Sequence, residues 1–305
     1  MGTPEFAAFF LNHLHQGPHR IVCAVTQPDR PVGRGRVLTA PPVKKKAQEL
    51  GIPVLQPLSV KEDSFVEDLK RYEADLFVVV AFSILPQKVL AQSRLGAVNV
   101  HGSMLPKYRG AAPVQWAIAN GDASTGVSIF LLDEKMDHGP ILEQREIPIA
   151  LDDSSEDVLR KMEIPGSEAL DKAIDRIAYG NLGELPAQEH QMASPAPKLK
   201  KEDGKIDFSK SALEIHNRIR AFCPWPGGFC LFQGKTAYFR KTIPHRSTWL
   251  SPGEARGDKD KLYVGTGDGV LEVTEIQLEG KRAMPAADFL RGLQKRDGLC
   301  FKAMD

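Results

Sequence analysis

Asn99 and His101 stand two residues apart at the end of the apolar run GAVNVH (96–101), just before the turn-rich segment GSMLPKYRG (102–110). On a β-strand that spacing sends both side chains to one face and Val100 to the other. A carboxamide and an imidazole on one face can donate hydrogen bonds to an oxygen on which charge develops, and the imidazole can also move a proton. A third group of suitable type lies in LLDEKMDHGPIL (131–142), where Asp137 precedes His138 and Gly139 between two apolar segments. From such a loop Asp137 can orient the His101 ring and stabilise its charged form. The plainer reading of Asp137 is turn chemistry beside glycine. For His101 it is a hydrogen bond to the following turn. Asp133 is the competing acid, ranked second because it closes a strand and can cap the loop, and His138 is expected to be exposed. A polar pair at a strand end, an immediate Gly-Ser turn and a later acidic loop together favour an active site.

The remaining motifs mainly exclude. Gly33-Arg34-Gly35 is not a dinucleotide fingerprint, since no GxGxxG leads from a strand into a helix. No Walker A pattern occurs. Ser103, two residues after His101, raises a hydrolase option, but GSMLP is not a GxSxG elbow. That segment fits better as backbone groups and an apolar wall for a flat ligand. Cys23, Cys223, Cys230 and Cys300 form no CxxC pair and have no histidine at metal-ligand spacing, so reduced thiols and no metal site are expected. The formal net charge is +1, so contact with a polyanion must rest on local patches. One such patch is TQPDRPVGRGRVLTAPPVKKK (26–46), in which Arg30, Arg34, Arg36 and Lys44 to Lys46 follow Asp29 without an intervening acid. Its prolines and glycines predict an irregular loop. Alone it reads as a solvated surface; beside a catalytic strand end it suits a phosphate-rich substrate.

The elements that must position these groups alternate through the first part of the chain. Helical spacing marks 4–16, a buried strand 20–26, a helix 41–51 with proline at its start, a strand 52–56 and an amphipathic helix 61–73. DLFVVVAF (75–82) is apolar on both faces, as a central parallel strand should be, and a short helix (86–92) leads to the strand 96–101. This order predicts an α/β domain with a mostly parallel sheet, whose ligands bind beyond the carboxyl ends of the strands. Segments 125–133 and 139–149 predict a hairpin. Asp153 or Ser154 can cap a helix running to Ala178, with a kink or a break at Pro165-Gly166. Residues 186–205 are rich in Pro, Ala and Lys without apolar periodicity, and read as a linker. Beyond it come a helix (211–222) offering Leu213, Ile215, Ile219 and Phe222 for packing, then short strands with turn signals at Gln233-Gly234 and Gly267-Asp268-Gly269. Those predict a small all-β barrel or sandwich. The 305 residues suffice for two domains, no apolar run is long enough to cross a bilayer, and no signal peptide opens the sequence.

Over nearly all its length the chain resembles the methionyl-tRNA formyltransferase family. The matching segments are MGTPEFA (1–7), TQPDRPVGRGR (26–36), NVHGSMLPKYRGAAPVQWAI (99–118) and MDHGPIL (136–142). Beyond the linker KEDGKIDFS (201–209), RAFCPWPGGF (220–229), TGDGVLEV (266–273) and GKRAMPAADFL (280–290) also match. HGSMLP is shared with other enzymes that use 10-formyltetrahydrofolate, so it specifies the formyl donor more than the acceptor. The resemblance implies a Rossmann-like catalytic domain over 1–185, a linker over 186–205 and an OB-like barrel over 206–305 that helps hold tRNA. It implies Asn99, His101 and Asp137 as the catalytic trio and a folate pocket lined by Ser103, Met104, Leu105 and Pro106. A loop containing Arg30, Arg34 and Arg36 would enter the acceptor stem of initiator methionyl-tRNA. Lys198, Lys200 and Lys201 in the linker read equally as added phosphate contacts or as solubilising charge. A monomeric cytoplasmic enzyme without metal or membrane contact follows. Family members place a strand ahead of GTPEF, so the first domain is expected to lack its first strand. AFSILP (81–86) is one residue shorter than the family pattern. Two alternatives stay open: another 10-formyltetrahydrofolate enzyme, a hydrolase or a sugar-amine formyltransferase, and a catalytically silent RNA-binding remnant.

Overall fold

The computed structural model describes residues 1–32, 35–185, 187–293 and 298–304. Two compact units divide the chain: Met1–Pro113, Thr125–Pro148 and Leu159–Pro197 form the first, and Val114–Ser124, Ile149–Val158 and Lys198–Asp305 the second.

In the first unit, strand Ala97–His101 pairs in parallel with Phe77–Val80, and antiparallel with Ser124–Leu131, which neighbours Ile141–Pro148. Asn99 lies opposite Val79 and Phe130, and His101 opposite Ser128. Ala24–Val25 and Val54–Leu55 form a separate parallel pair. Met1 and Gly2 run between that pair and Phe77–Val80: the Gly2 N–H donates to the Val25 carbonyl and the Val80 N–H to the Met1 carbonyl, both at 2.9 Å. Gly2 is required there, because a Cβ would lie 2.5 Å from the Ala7 Cβ and 2.7 Å from the Val80 oxygen. The Met1 ammonium donates to the Val78 carbonyl at 2.6 Å, and burial pulls its pKa from 8.0 down to about 6. A cavity of about 710 Å³, with Phe10, Leu14, Cys23, Leu69 and Phe77 in its wall, borders this two-residue stretch. The apolar faces of the alternating elements meet in a core that includes Val25, Phe65, Leu69, Phe77, Val79 and Val89.

Three local expectations change. The strand expected over 20–26 shrinks to Ala24–Val25. The basic stretch is not wholly irregular, for Arg30–Val32 and Val37–Thr39 pair antiparallel. Pro165 does not split its helix, which runs from Ser155 to Ala178. Proline removes one helical N–H, but the close fit of Gly166 against Phe10 and Val127 holds the helix across it: a Cβ there would lie 3.0 Å from the Phe10 ring. Ser154 is the cap, its hydroxyl accepting from the Asp157 N–H while Asp157 accepts from the Ser154 N–H.

The second unit closes on itself. Strands follow the order Lys235–His245, Gly228–Phe232, Leu299–Lys302, Glu254–Asp258, Lys261–Gly265 and Val270–Leu278, and the last pairs back to the first. The result is an antiparallel barrel. Gln233 (φ 49) and Gly234 (φ 75) make the tight hairpin turn that their types predict. Phe232, Phe239, Phe289 and Phe301 pack at centroid separations of 4.9 to 5.2 Å where they touch in sequence around the core. Each buried phenyl contributes roughly 1.5–3 kcal/mol. Helix Ala212–Ala221 packs with Ile215 and Ile219, whereas Leu213 falls on the far side and is exposed.

His216 on this helix is buried, donating from Nε2 to the Leu151 carbonyl at 2.8 Å, with Nδ1 2.9 Å from the Thr242 hydroxyl. Burial lowers its pKa from the ordinary 6.5, against an opposing pull from the Leu151 carbonyl. As pH falls the unfolded chain therefore takes its proton first. The stabilising contribution is complete above the ordinary histidine value and is lost as pH drops through the folded value. Urea midpoints should fall between about pH 7.5 and 5.5, and His216→Gln should flatten that dependence; an unchanged slope in the variant would contradict a neutral buried imidazole.

Candidate active site

His101 ends its strand at the carboxyl edge of the parallel pairing and is 6% exposed. Its Nε2 lies 2.9 Å from the Tyr108 carbonyl oxygen. A carbonyl can only accept, so Nε2 carries the hydrogen. Nδ1 then faces Asp137 Oδ2 at 3.7 Å, beyond direct hydrogen-bond length. The same Oδ2 accepts the Gly110 N–H at 2.7 Å. Residues 108–110 thus offer a carbonyl to the imidazole and an amide to the carboxylate. Asn99 lies on the same strand face as His101, partly buried.

Both partners of the ring sit in unusual backbone. Tyr108 (φ 60) and Asp137 (φ 49) occupy the left-handed region, which aspartate tolerates and tyrosine does at a cost of order 1–3 kcal/mol. What holds Tyr108 comes from far along the chain: its N–H donates to the Ser194 hydroxyl at 2.9 Å and the Arg109 N–H to the Ser194 carbonyl at 2.8 Å. Arg109–Gly110 then pairs in parallel with Pro195–Ala196. Gly110 (φ 130) must be glycine, as a Cβ would overlap the Ala196 carbonyl. Gly139 must be too, because a Cβ would overlap the Leu131 carbonyl.

Gln188 ties the acid loop to this frame. Buried at 5% exposure, its Nε2 donates to the Asp137 carbonyl at 3.1 Å and the Gly139 carbonyl at 2.8 Å. Its Oε1 accepts from Arg109 Nε at 3.2 Å and Nη2 at 2.6 Å. Arg109 Nη2 also meets His190 Nδ1 at 2.9 Å, and His190 stacks on His138 at 4.0 Å. Partial desolvation first, then the neighbouring His138 and Arg109, lower the His190 pKa. Asp133 pairs with His138 at 2.8 Å and accepts the Lys135 N–H, so it caps the loop and does not reach His101.

Most polar groups nearby are already committed. The Ser103 hydroxyl donates to the Lys107 carbonyl at 2.6 Å, Ser128 donates to the Ser103 carbonyl, and the Gln144 amide donates to Ser128 and the Leu105 carbonyl. Ser103 and Leu105 are buried, while Met104 and Pro106 are partly exposed. Among the described residues, no protein hydrogen bond engages the Asn99 carboxamide or Asp137 Oδ1. These two groups and the Nδ1 edge of His101 are the ones left for a ligand.

The family model described as Formyl transferase matches residues 1–174, and that described as Formyl transferase, C-terminal domain, matches 198–294. The chain is 45% identical to the methionyl-tRNA formyltransferase of Desulfotalea psychrophila over 96% of this chain and 91% of that one. To the one of Koribacter versatilis it is 46% identical, covering 95% and 94%. The chain belongs to the methionyl-tRNA formyltransferase family. Its fold is shared with the sugar 3N-formyltransferase WlaRD, solved in the presence of dTDP and 5-N-formyl-THF (TM-score 0.66, 19% identity, 92% of this chain and 97% of that one).

The basic residues singled out by sequence are divided between the two units. Arg30 is exposed on the antiparallel pair of the first unit, Arg36 is exposed in the turn just before Val37, and Arg34 lies outside the described residues. Lys44 is held by Asp29 at 2.8 Å. Lys198, Lys200 and Lys201 are exposed on the second unit. Sequence reasoning missed Tyr108, Gly110, Gln188 and Ser194. The first two act through backbone atoms, and the last two sit in a segment read as linker, where nothing in composition marks them. Only Gly110 carried a signal, as a glycine in a turn-rich loop. Gln188→Ala should speed amide exchange across 133–139 roughly tenfold or more, the scale of losing a buried hydrogen-bonded group; exchange at the parent rate would mean the loop holds itself.

Proposed function

We propose that the chain transfers the formyl group of 10-formyltetrahydrofolate to the α-amino group of initiator methionyl-tRNA, with Asn99, His101 and Asp137 as the reacting set. The observation that carries this reading is the facing of His101 and Asp137 across the 108–110 segment, beside an uncommitted Asn99 carboxamide. The 45–46% identity to relatives of that name supports the choice of acceptor.

The nucleophile needs little activation, since an α-amine has a pKa near neutrality and esterification of its carboxyl lowers it further. The amine attacks the formyl carbon, forming the new C–N bond, and the bond from that carbon to N10 of the folate breaks. The amine gives up one proton and N10 takes one. While the carbon is tetrahedral its oxygen carries negative charge, and the Asn99 N–H donates to it. Because Nε2 is committed to Tyr108, His101 can donate there only through Nδ1, that is, as the doubly protonated ring. The Asp137 carboxylate faces that edge, and its Oδ1 accepts the amine's proton directly or through water. Ser103 to Pro106 line the folate site, chiefly by backbone and by the partly exposed Met104 and Pro106.

We assign formyl transfer to residues 1–185 and tRNA holding to 206–305, joined by 186–205. Arg30, Arg34 and Arg36 meet the acceptor stem, and Lys198, Lys200 and Lys201 meet phosphates. The protein acts as a cytoplasmic monomer without a metal. Among the described residues no helix is long and apolar enough to cross a membrane.

His101→Ala should lower kcat about 10²–10³-fold or more, the scale of losing an oxyanion donor, with tRNA affinity within about twofold; equal loss of both would make the histidine structural. Arg34→Ala should weaken binding of initiator methionyl-tRNA without affecting folate binding, and undiminished discrimination against elongator methionyl-tRNA would remove the loop from recognition. With radiolabelled donor and competing acceptors, label should pass to methionyl-tRNA. Label released to water or carried by an amino-sugar nucleotide would point to a hydrolase or a sugar-amine formyltransferase.

A further inference from the structure

The outer face of the barrel carries a second group of side chains that the formyl-transfer reading does not use. Register places Arg256 opposite Tyr263, and Tyr263 opposite Glu272, on three neighbouring strands. Their sequence neighbours Leu262, Val264, Leu271 and Val273 fill the barrel interior, so alternation turns the Arg256–Tyr263–Glu272 row outward. Glu272 is nevertheless only 6% exposed. It is covered by His245, whose Nε2 lies 2.9 Å from Oε2, and by Lys261, whose ammonium lies 3.2 Å from Oε1. Hydrogen bonding and charge from Glu272 raise the Lys261 pKa, so that cation is retained.

Aromatic groups complete the surface. Trp249 meets Tyr263 edge-on at 5.4 Å, His245 meets Tyr263 at 6.0 Å, and the Arg256 guanidinium stands 5.9 Å over the indole. They enclose a hollow of about 330 Å³ lined by His245, Ser247, Trp249, Arg256, Asp258 and Tyr263. Trp249 stays 45% exposed at its rim. We infer that this hollow is a stacking site for one unpaired nucleobase of the RNA substrate. An open indole beside a guanidinium takes a flat heteroaromatic ring on its face. The barrel geometry is one that presents strand-face aromatics to single-stranded nucleic acid. Asp258 disfavours a phosphate in the hollow but accepts from the exocyclic amine of a base, so a base with an amino edge is preferred. The inference rests on tRNA being the acceptor.

The test is tRNA affinity of the full-length protein as a function of salt, for the parent, Trp249→Ala and Trp249→Phe. Stacking contributes without releasing counterions, so Trp249→Ala should weaken initiator tRNA binding about tenfold while leaving the slope of log K against log salt unchanged. Trp249→Phe should recover most of the affinity, and kcat at saturating tRNA should stay at the parent value. Cytidine monophosphate should quench indole fluorescence in the parent and not in Trp249→Phe, where Trp116 and Trp225 remain. Affinity within twofold of the parent in Trp249→Ala, or a loss accompanied by a shallower salt slope, overturns the site. A parent that binds no tRNA at all instead overturns the acceptor assignment.

Discussion

Three consecutive residues, Tyr108 to Gly110, set the geometry of the site. One carbonyl takes the hydrogen of His101 Nε2 and one amide binds Asp137 Oδ2. Because a carbonyl accepts and an amide donates, this short piece of backbone fixes which imidazole nitrogen faces the carboxylate. Neither side chain selects its partner by itself; the main chain between them does. The 3.7 Å separation leaves the edge of the ring open to a reacting atom instead of closing it in a direct pair.

Holding that backbone in place requires support from distant sequence. Tyr108 and Asp137 both adopt left-handed conformations, and such strain persists only where surrounding contacts over-determine it. Ser194 to Ala196 supply a hydroxyl, a carbonyl and a strand edge to 108–112. Gln188 supplies two donors to the acid loop and one acceptor to Arg109, so every hydrogen-bonding atom of its amide is engaged. Gly110 and Gly139 permit the approach, each lying against a carbonyl oxygen that any side chain would strike. Ser103, Ser128, Gln144 and Gln188 direct their donors into this hydrogen-bonded wall. Chemistry is left to the few groups outside it.

The barrel obeys a different constraint. Its closure removes free sheet edges, and its phenylalanine core fills the interior. On the outward face Glu272 is buried beneath Lys261 and His245, where alternation calls for exposure.

Much of this was legible in the sequence. Period and length give the alternating elements of the first unit and the short strands of the second, and Asn99 and His101 share a face simply because they are two residues apart on a strand. Ser154 and Gln233-Gly234 cap or turn where their types predict, because those preferences are local. The helix through Pro165 and the strand pair at Arg30 escape such reading, since packing against Phe10 or pairing across a loop outweighs local propensity. The site divides the same way. Residue types and spacing name the carboxamide, the imidazole and the carboxylate, because each carries its chemistry in its side chain. Tertiary structure alone decides that Tyr108, Gly110, Gln188 and Ser194 hold them, because those contacts bring backbone atoms together across intervals of up to 86 residues, where no periodicity reaches.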